Sequence, residues 1–196
     1  MHPWPRGADM ILLILGVALW FGAHFLKRLA PDFRARMGDQ RGKGPVALAL
    51  VVSVVLMVIG YRAAFGPVWW GRSGALVGIN NLLMILAFYI YASGAAPPGK
   101  PRNRVGTRLR HPQLIGFSIW CVAHLLVNGD LPSFILFGGL LVWALLEIAV
   151  INRAVPQWTP PEWGGPKSEI RVAVITVVVL IVVMLIHNWL GVRPWG

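Results

Sequence analysis

Six stretches of mostly apolar residues succeed one another along the chain, at about 10–26, 45–65, 75–92, 112–128, 132–150 and 172–190. Each approaches the roughly 20 residues that a helix needs to cross the hydrocarbon of a bilayer. The clearest is VAVITVVVLIVVMLI, from Val172 to Ile186. The first stretch runs straight into His24, Lys27 and Arg28 without a small-residue cleavage site, which argues against a signal peptide. The pattern predicts an all-α fold, a polytopic membrane helix bundle of about six transmembrane helices. It forms one domain over residues 1–196, with its core at about 10–190. Spans four and five are joined only by NGDLP, so these two helices are expected to pack as antiparallel neighbours.

The polar segments between the spans fix an orientation. Fourteen basic residues fall on one side, in the segments 27–43, 100–110 and 153–171, and four on the other: Arg6, Arg62, Arg72 and Arg193. Positive-inside bias puts the fourteen in the cytoplasm and both termini outside. Trp4, Trp69, Trp70, Trp189 and Trp195 fall at the predicted outer edge, where amphipathic indoles anchor helices. VPQWTPPEWGGP, between spans five and six, has too many prolines for regular helix and is expected to be extended.

Composition agrees with this frame. The 196 residues are 57% hydrophobic and 13% charged, which excludes both a water-soluble globule and a disordered chain. The net charge of +11 sits in the loops, so the expected polyanionic partner is anionic lipid headgroups at the cytoplasmic loops, not nucleic acid. The single cysteine, Cys121, excludes an internal disulfide. No phosphate loop, H-E-x-x-H, serine nucleophile elbow or C-x-x-C occurs.

Ionisable groups inside a span cost about 2.5–3.5 kcal/mol at mid-helix and normally face the bundle interior. Here they are His24, His111, His124, Glu147 and His187, with Asn80, Asn81 and Cys121 as weaker polar company. Residues 16–24 and 116–124 both fit G-x-x-x-W-x-x-A-H, so Trp20 with His24, and Trp120 with His124, each share a helix face. Trp143 and Glu147 repeat the spacing. Two such helices can present imidazoles and indoles to a common pocket, where a flat apolar macrocycle such as haem takes axial histidine. Cys121, three residues before His124, is an alternative sulfur ligand. Depth supports a different grouping. His24, His111 and Glu147 form a layer near the cytoplasm, and His124, Asn80, Asn81 and His187 one near the outside, as in a proton or ion relay.

Arg108, Arg110 and His111 adjoin the helix start at Pro112. They suit either phosphate headgroups or a cytoplasm-facing anion site. Glu147 suits either a structural ion pair or catalysis, and His187 an interfacial position.

Arg110-His111-Pro112, followed by Gly116, Trp120, Ala123-His124 and Asn128-Gly129 and preceded by His24, resembles the NnrU family of bacterial membrane proteins. The likeness covers about residues 10–190, and RHPQLIGFSIWCVAHLLVNGD is its most specific part. That family is named for a link to nitrite and nitric oxide reductase expression in denitrifiers. It is distantly similar to the zeta-carotene isomerases, which carry haem b and isomerise a polyene double bond. The resemblance implies haem b held by His24 and His124, with Cys121 nearby and Trp20 and Trp120 shaping the cavity. It also implies redox-dependent isomerisation of an apolar substrate entering from lipid. The alternative from another class is a non-enzymatic membrane component that supports nitrogen-oxide respiration or carries a small solute.

A weaker likeness is to the isoprenylcysteine-type membrane methyltransferases, which share the Arg-His-Pro-x-x-x-Gly start of a span. It implies an S-adenosylmethionine-dependent site at Arg110, His111 and Glu147. Those enzymes carry a glutamate pair and tyrosines before their last segment; here Ile148-Ala149-Val150 follows Glu147 and no tyrosine does.

Overall fold

The computed structural model describes residues 8–30, 32, 36 and 43–195. His2, Trp4, Arg6, Arg34 and Arg41, and the side chains of Lys27 and Arg28, lie outside the described residues. The helices are α1 (Ala8–Leu29), α2 (Lys43–Ala63), α3 (Gly74–Ser93), the short α4 (Arg104–Arg108), α5 (Pro112–Val127), α6 (Leu131–Ala154) and α7 (Gly165–Trp189). Two short strands, β1 (Val68–Trp70) and β2 (Gly129–Asp130), pair with each other. Among the described residues, α1, α2, α3, α6 and α7 are long and apolar enough to cross a membrane. The chain divides into two compact units, residues 1–69 with 129–140, and residues 70–128 with 141–196.

In the first unit, α1 and α2 meet through glycines. A Cβ on Gly60 would lie 2.4 Å from the Leu13 backbone nitrogen, and one on Gly16 would lie 2.8 Å from that of Met57. Small residues allow this approach, and in hydrocarbon it is packing rather than water exclusion that joins helices. The buried Ser53 hydroxyl donates to the Gly16 carbonyl at 2.8 Å, so the same contact carries a hydrogen bond between the helices. Tyr61 continues the unit, with its hydroxyl 2.9 Å from Ser133 Oγ and its ring edge-on to Phe137 at 5.8 Å.

The second unit is built on α3, which packs against both α5 and α7. Gly116 of α5 again permits the contact, since a Cβ there would lie 2.6 Å from the Ala87 carbonyl oxygen. Within this unit α5 runs antiparallel to α6, as the short NGDLP connection predicts. Phe117 meets Trp143 edge-on at 5.5 Å, and further along the pair His111 Nε2 donates to Asn152 Oδ1 at 2.8 Å. The proline-rich segment is extended as expected. It docks in parallel on Arg102, whose N–H donates to the Glu162 carbonyl and whose carbonyl accepts from Gly164 N–H.

Two expectations need correction, while the fourth stretch falls where it was expected, as a helix of 16 residues that Pro112 opens and Asn128 ends. At 1.5 Å per residue that is about 24 Å, short of a hydrocarbon core of about 30 Å. The fifth stretch is longer than hydropathy suggests and is interrupted by a π-helical turn at Phe134–Gly138. The last begins at Gly165, because Pro166 suits the first helical turn and the polar residues after it are helical too.

The α1–α2 contact yields a test. Gly60→Val overpacks it, at a cost of about 1–3 kcal/mol. The expected result is a lower unfolding temperature in detergent, whereas Gly22→Val, whose Cβ meets nothing within 4 Å, leaves that temperature nearly unchanged.

Candidate functional site

Both tryptophan–histidine pairs form the face that their spacing predicts. Trp20 and His24 have ring centroids 4.3 Å apart, and Trp120 and His124 4.6 Å apart with the rings edge to face. Histidines 24 and 187 also bond back to their own helices. His24 Nδ1 lies 2.9 Å from the Trp20 carbonyl oxygen, and His187 Nδ1 lies 2.8 Å from that of Val183. A carbonyl only accepts, so in each ring Nδ1 is the donating nitrogen. Metal-binding histidines are commonly oriented in this way.

His24 belongs to the first unit, where it lines a cavity of about 340 Å³ with Lys43, Leu26 and Leu50. His124 belongs to the second. There it lines a partly open, mostly apolar cavity of about 210 Å³ walled by α3, α5 and α7. Trp120, Asn80, Asn81, Asn128 and His187 line the same cavity, so His124, Asn80, Asn81 and His187 converge as one layer. The imidazoles of His124 and His187 are nearly parallel, at 23°, with centroids 6.4 Å apart. Asn80 donates through Nδ2 to Asn81 Oδ1 at 3.2 Å, and its own buried Oδ1 has no hydrogen-bond partner among the described residues. An unmet buried carbonyl oxygen is costly unless a ligand or water donates to it.

The remaining sequence candidates lie elsewhere. Cys121 is fully buried and is not part of this cavity's lining. Arg110 donates from Nη1 to the Pro156 carbonyl at 3.3 Å and from Nη2 to that of Val155. Together with the His111–Asn152 bond, this makes the Arg110-His111 pair a clasp between the start of α5 and the end of α6. Glu147 is half-buried on α6, between Trp143 and Asn152. Among the described residues no group of three or more His, Cys, Asp and Glu side chains forms a metal centre.

A second polar cluster has no counterpart in the sequence reading. Glu169 Oε1 accepts from the Arg104 backbone N–H at 2.8 Å and from Trp163 Nε1 at 3.0 Å, while Oε2 lies 3.5 Å from the Tyr89 hydroxyl. Asn103 donates to that hydroxyl at 3.2 Å, and the Arg104 guanidinium lies over the Trp163 ring, 4.5 Å from its centroid. One carboxylate thereby ties two loops to the start of α7. The available signal was scarcity, because the whole chain has only seven acidic residues. Replacing Glu169 with Ala is expected to free the segment 155–164 and to speed its cleavage in limited proteolysis several-fold. Arg108→Ala, which alters an exposed side chain of the same basic loop, leaves the rate close to that of the parent.

Comparison with known proteins adds one match. The family model described as NnrU protein covers residues 12–194. No curated protein and no solved structure matches the chain.

Proposed function

The chain belongs to the NnrU family, and from that premise we propose that it is a haem b-binding protein of the bacterial inner membrane. On this reading it serves nitric oxide and denitrification metabolism through redox-dependent chemistry, with isomerisation of an apolar, lipid-soluble substrate as the reaction type. The observation that carries the proposal is the His124–His187 pair. Their ring centroids lie 6.4 Å apart, and their imidazole nitrogens would be the donors that hold the group.

The donors suit haem iron. The space is small, since ligand pockets commonly measure roughly 300–1,000 Å³. The cavity is partly open, however, so its 210 Å³ does not bound a ligand that extends beyond it. His124 is the first histidine to hold the group, and Trp120 walls it. His187 is the second by proximity, while His24 is the second that the resemblance to the haem-carrying isomerases implies. When bound, haem would supply Lewis-acid or one-electron chemistry. The apolar lining favours a hydrocarbon-like substrate, and Asn80 and Asn128 give the cavity a polar edge that orients a ligand. In the corresponding topology α5 crosses with the five longer helices, the bilayer thinning locally to match its length, both termini are periplasmic, and the basic loops meet anionic headgroups.

The small cavity favours a second reading, a non-enzymatic component that handles a small solute in nitrogen-oxide respiration. The methyltransferase reading has less support, because Arg110 and His111 are engaged in the clasp on α6 and the segment that follows it.

An absorption spectrum of detergent-solubilised protein tests the proposal. The parent protein is expected to show a Soret band, reduced at least about ten-fold in His124→Ala and His187→Ala and retained in His24→Ala. Loss in His24→Ala with retention in His187→Ala would assign the second ligand to His24. Absence of the band from a folded parent, with a growth defect under denitrifying conditions, would favour the second reading.

A further inference from the structure

Apart from the histidine cavity, the second unit holds another of about 210 Å³, where the end of α3, the loop after it and the start of α7 come together. Two arginines, Arg102 and Arg171, line it beside Ser93 and Asn103, and its remaining wall is apolar, with Val172 and Ile175 prominent. No acidic side chain lines it. Glu169, two residues before Arg171 on α7, is engaged by Arg104, Trp163 and Tyr89.

Arg102 is held in place before any ligand arrives. Its backbone N–H donates to the Glu162 carbonyl at 2.9 Å, and its own carbonyl accepts from Gly164 N–H at 2.8 Å. Its stem lies over Gly106, where an added Cβ would come within 3.0 Å of the Arg102 Cβ and 2.3 Å of the Ser93 carbonyl oxygen. Its Nε is buried and has no hydrogen-bond partner among the described residues. A buried guanidinium N–H without an acceptor costs free energy, and an oxyanion is what its planar fork best accommodates. Asn103 is already committed, accepting from Gly106 N–H at 3.0 Å and donating to Tyr89, so it shapes the cavity without competing for the anion.

We infer that Arg102 and Arg171 form a binding site for a phosphate group, the headgroup phosphate of an anionic phospholipid or a free phosphate. The cavity lies at the ends of two membrane-length helices and joins basic groups to an apolar wall, the arrangement by which basic pockets between helices hold lipid headgroups. This goes beyond loop-wide attraction to a charged surface, because two particular residues carry it. It is independent of the haem reading.

The test uses the full chain in neutral detergent and reads its unfolding temperature with dioctanoyl phosphatidylglycerol or with inorganic phosphate. The expected result is a rise of about 4–8 °C at saturation. The rise is absent in Arg102→Gln and Arg171→Gln and kept in Arg108→Gln, which removes the same charge from the same loop outside the cavity. A rise with the lipid alone identifies a headgroup as the source, and an equal rise with inorganic phosphate identifies a free anion. If Arg102→Gln does not fold, Arg171→Gln and the charge-preserving Arg102→Lys decide the matter. No rise with either probe, a rise undiminished by Arg171→Gln, or an equal loss in Arg108→Gln would overturn the assignment.

Discussion

Hydrocarbon offers a polar group nothing to bond, so a chain that lives in it must find every partner within itself. This protein finds many of them one turn back on the same helix. Ser93 donates to the Tyr89 carbonyl, Ser118 to Leu114 and Thr176 to Val172, each at 2.8 Å. His24 and His187 do the same through Nδ1. For a hydroxyl the bond closes the account. For an imidazole it settles one nitrogen and fixes the orientation of the ring. The bond between Ser53 and Gly16 instead links two helices, and it needs glycine on the accepting side.

The two units use this constraint differently. The first has a serine and glycines where α1 meets α2, and its role in the fold is close packing. The second gathers the chemistry: two histidines and three asparagines around one cavity, two arginines around another, and a carboxylate that joins the loops. Imidazoles and amides sit among largely apolar walls with Arg72 in the lining of the same cavity, and Arg102 and Arg171 line the other.

Much of this was legible in the residues. Hydropathy located the long helices, and the four-residue spacing of Trp20 with His24 and of Trp120 with His124 became ring contacts, because helical periodicity is a local property. The layer of His124, Asn80, Asn81 and His187 was also readable, since depth along a membrane helix follows from counting residues at 1.5 Å each. Local rules could not reveal the Glu169 cluster, whose members Tyr89, Arg104 and Trp163 are brought together only by the docking of two proline-containing loops. The extent of α5 was legible too, because Pro112 marks where its helix starts.

The π-helical turn at Phe134–Gly138 has a consequence for how this chain tolerates changes in length. A π turn accommodates one more residue than an α turn over the same arc. Loss of a single residue there can be absorbed by tightening to ordinary α-helix, so the phase of everything after Gly139, Trp143 and Asn152 included, would survive the deletion. The same loss within the regular helix that follows would swing the remaining side chains by about 100°. The helix thus carries its slack at one marked place, and close relatives that differ in length within α6 should differ there.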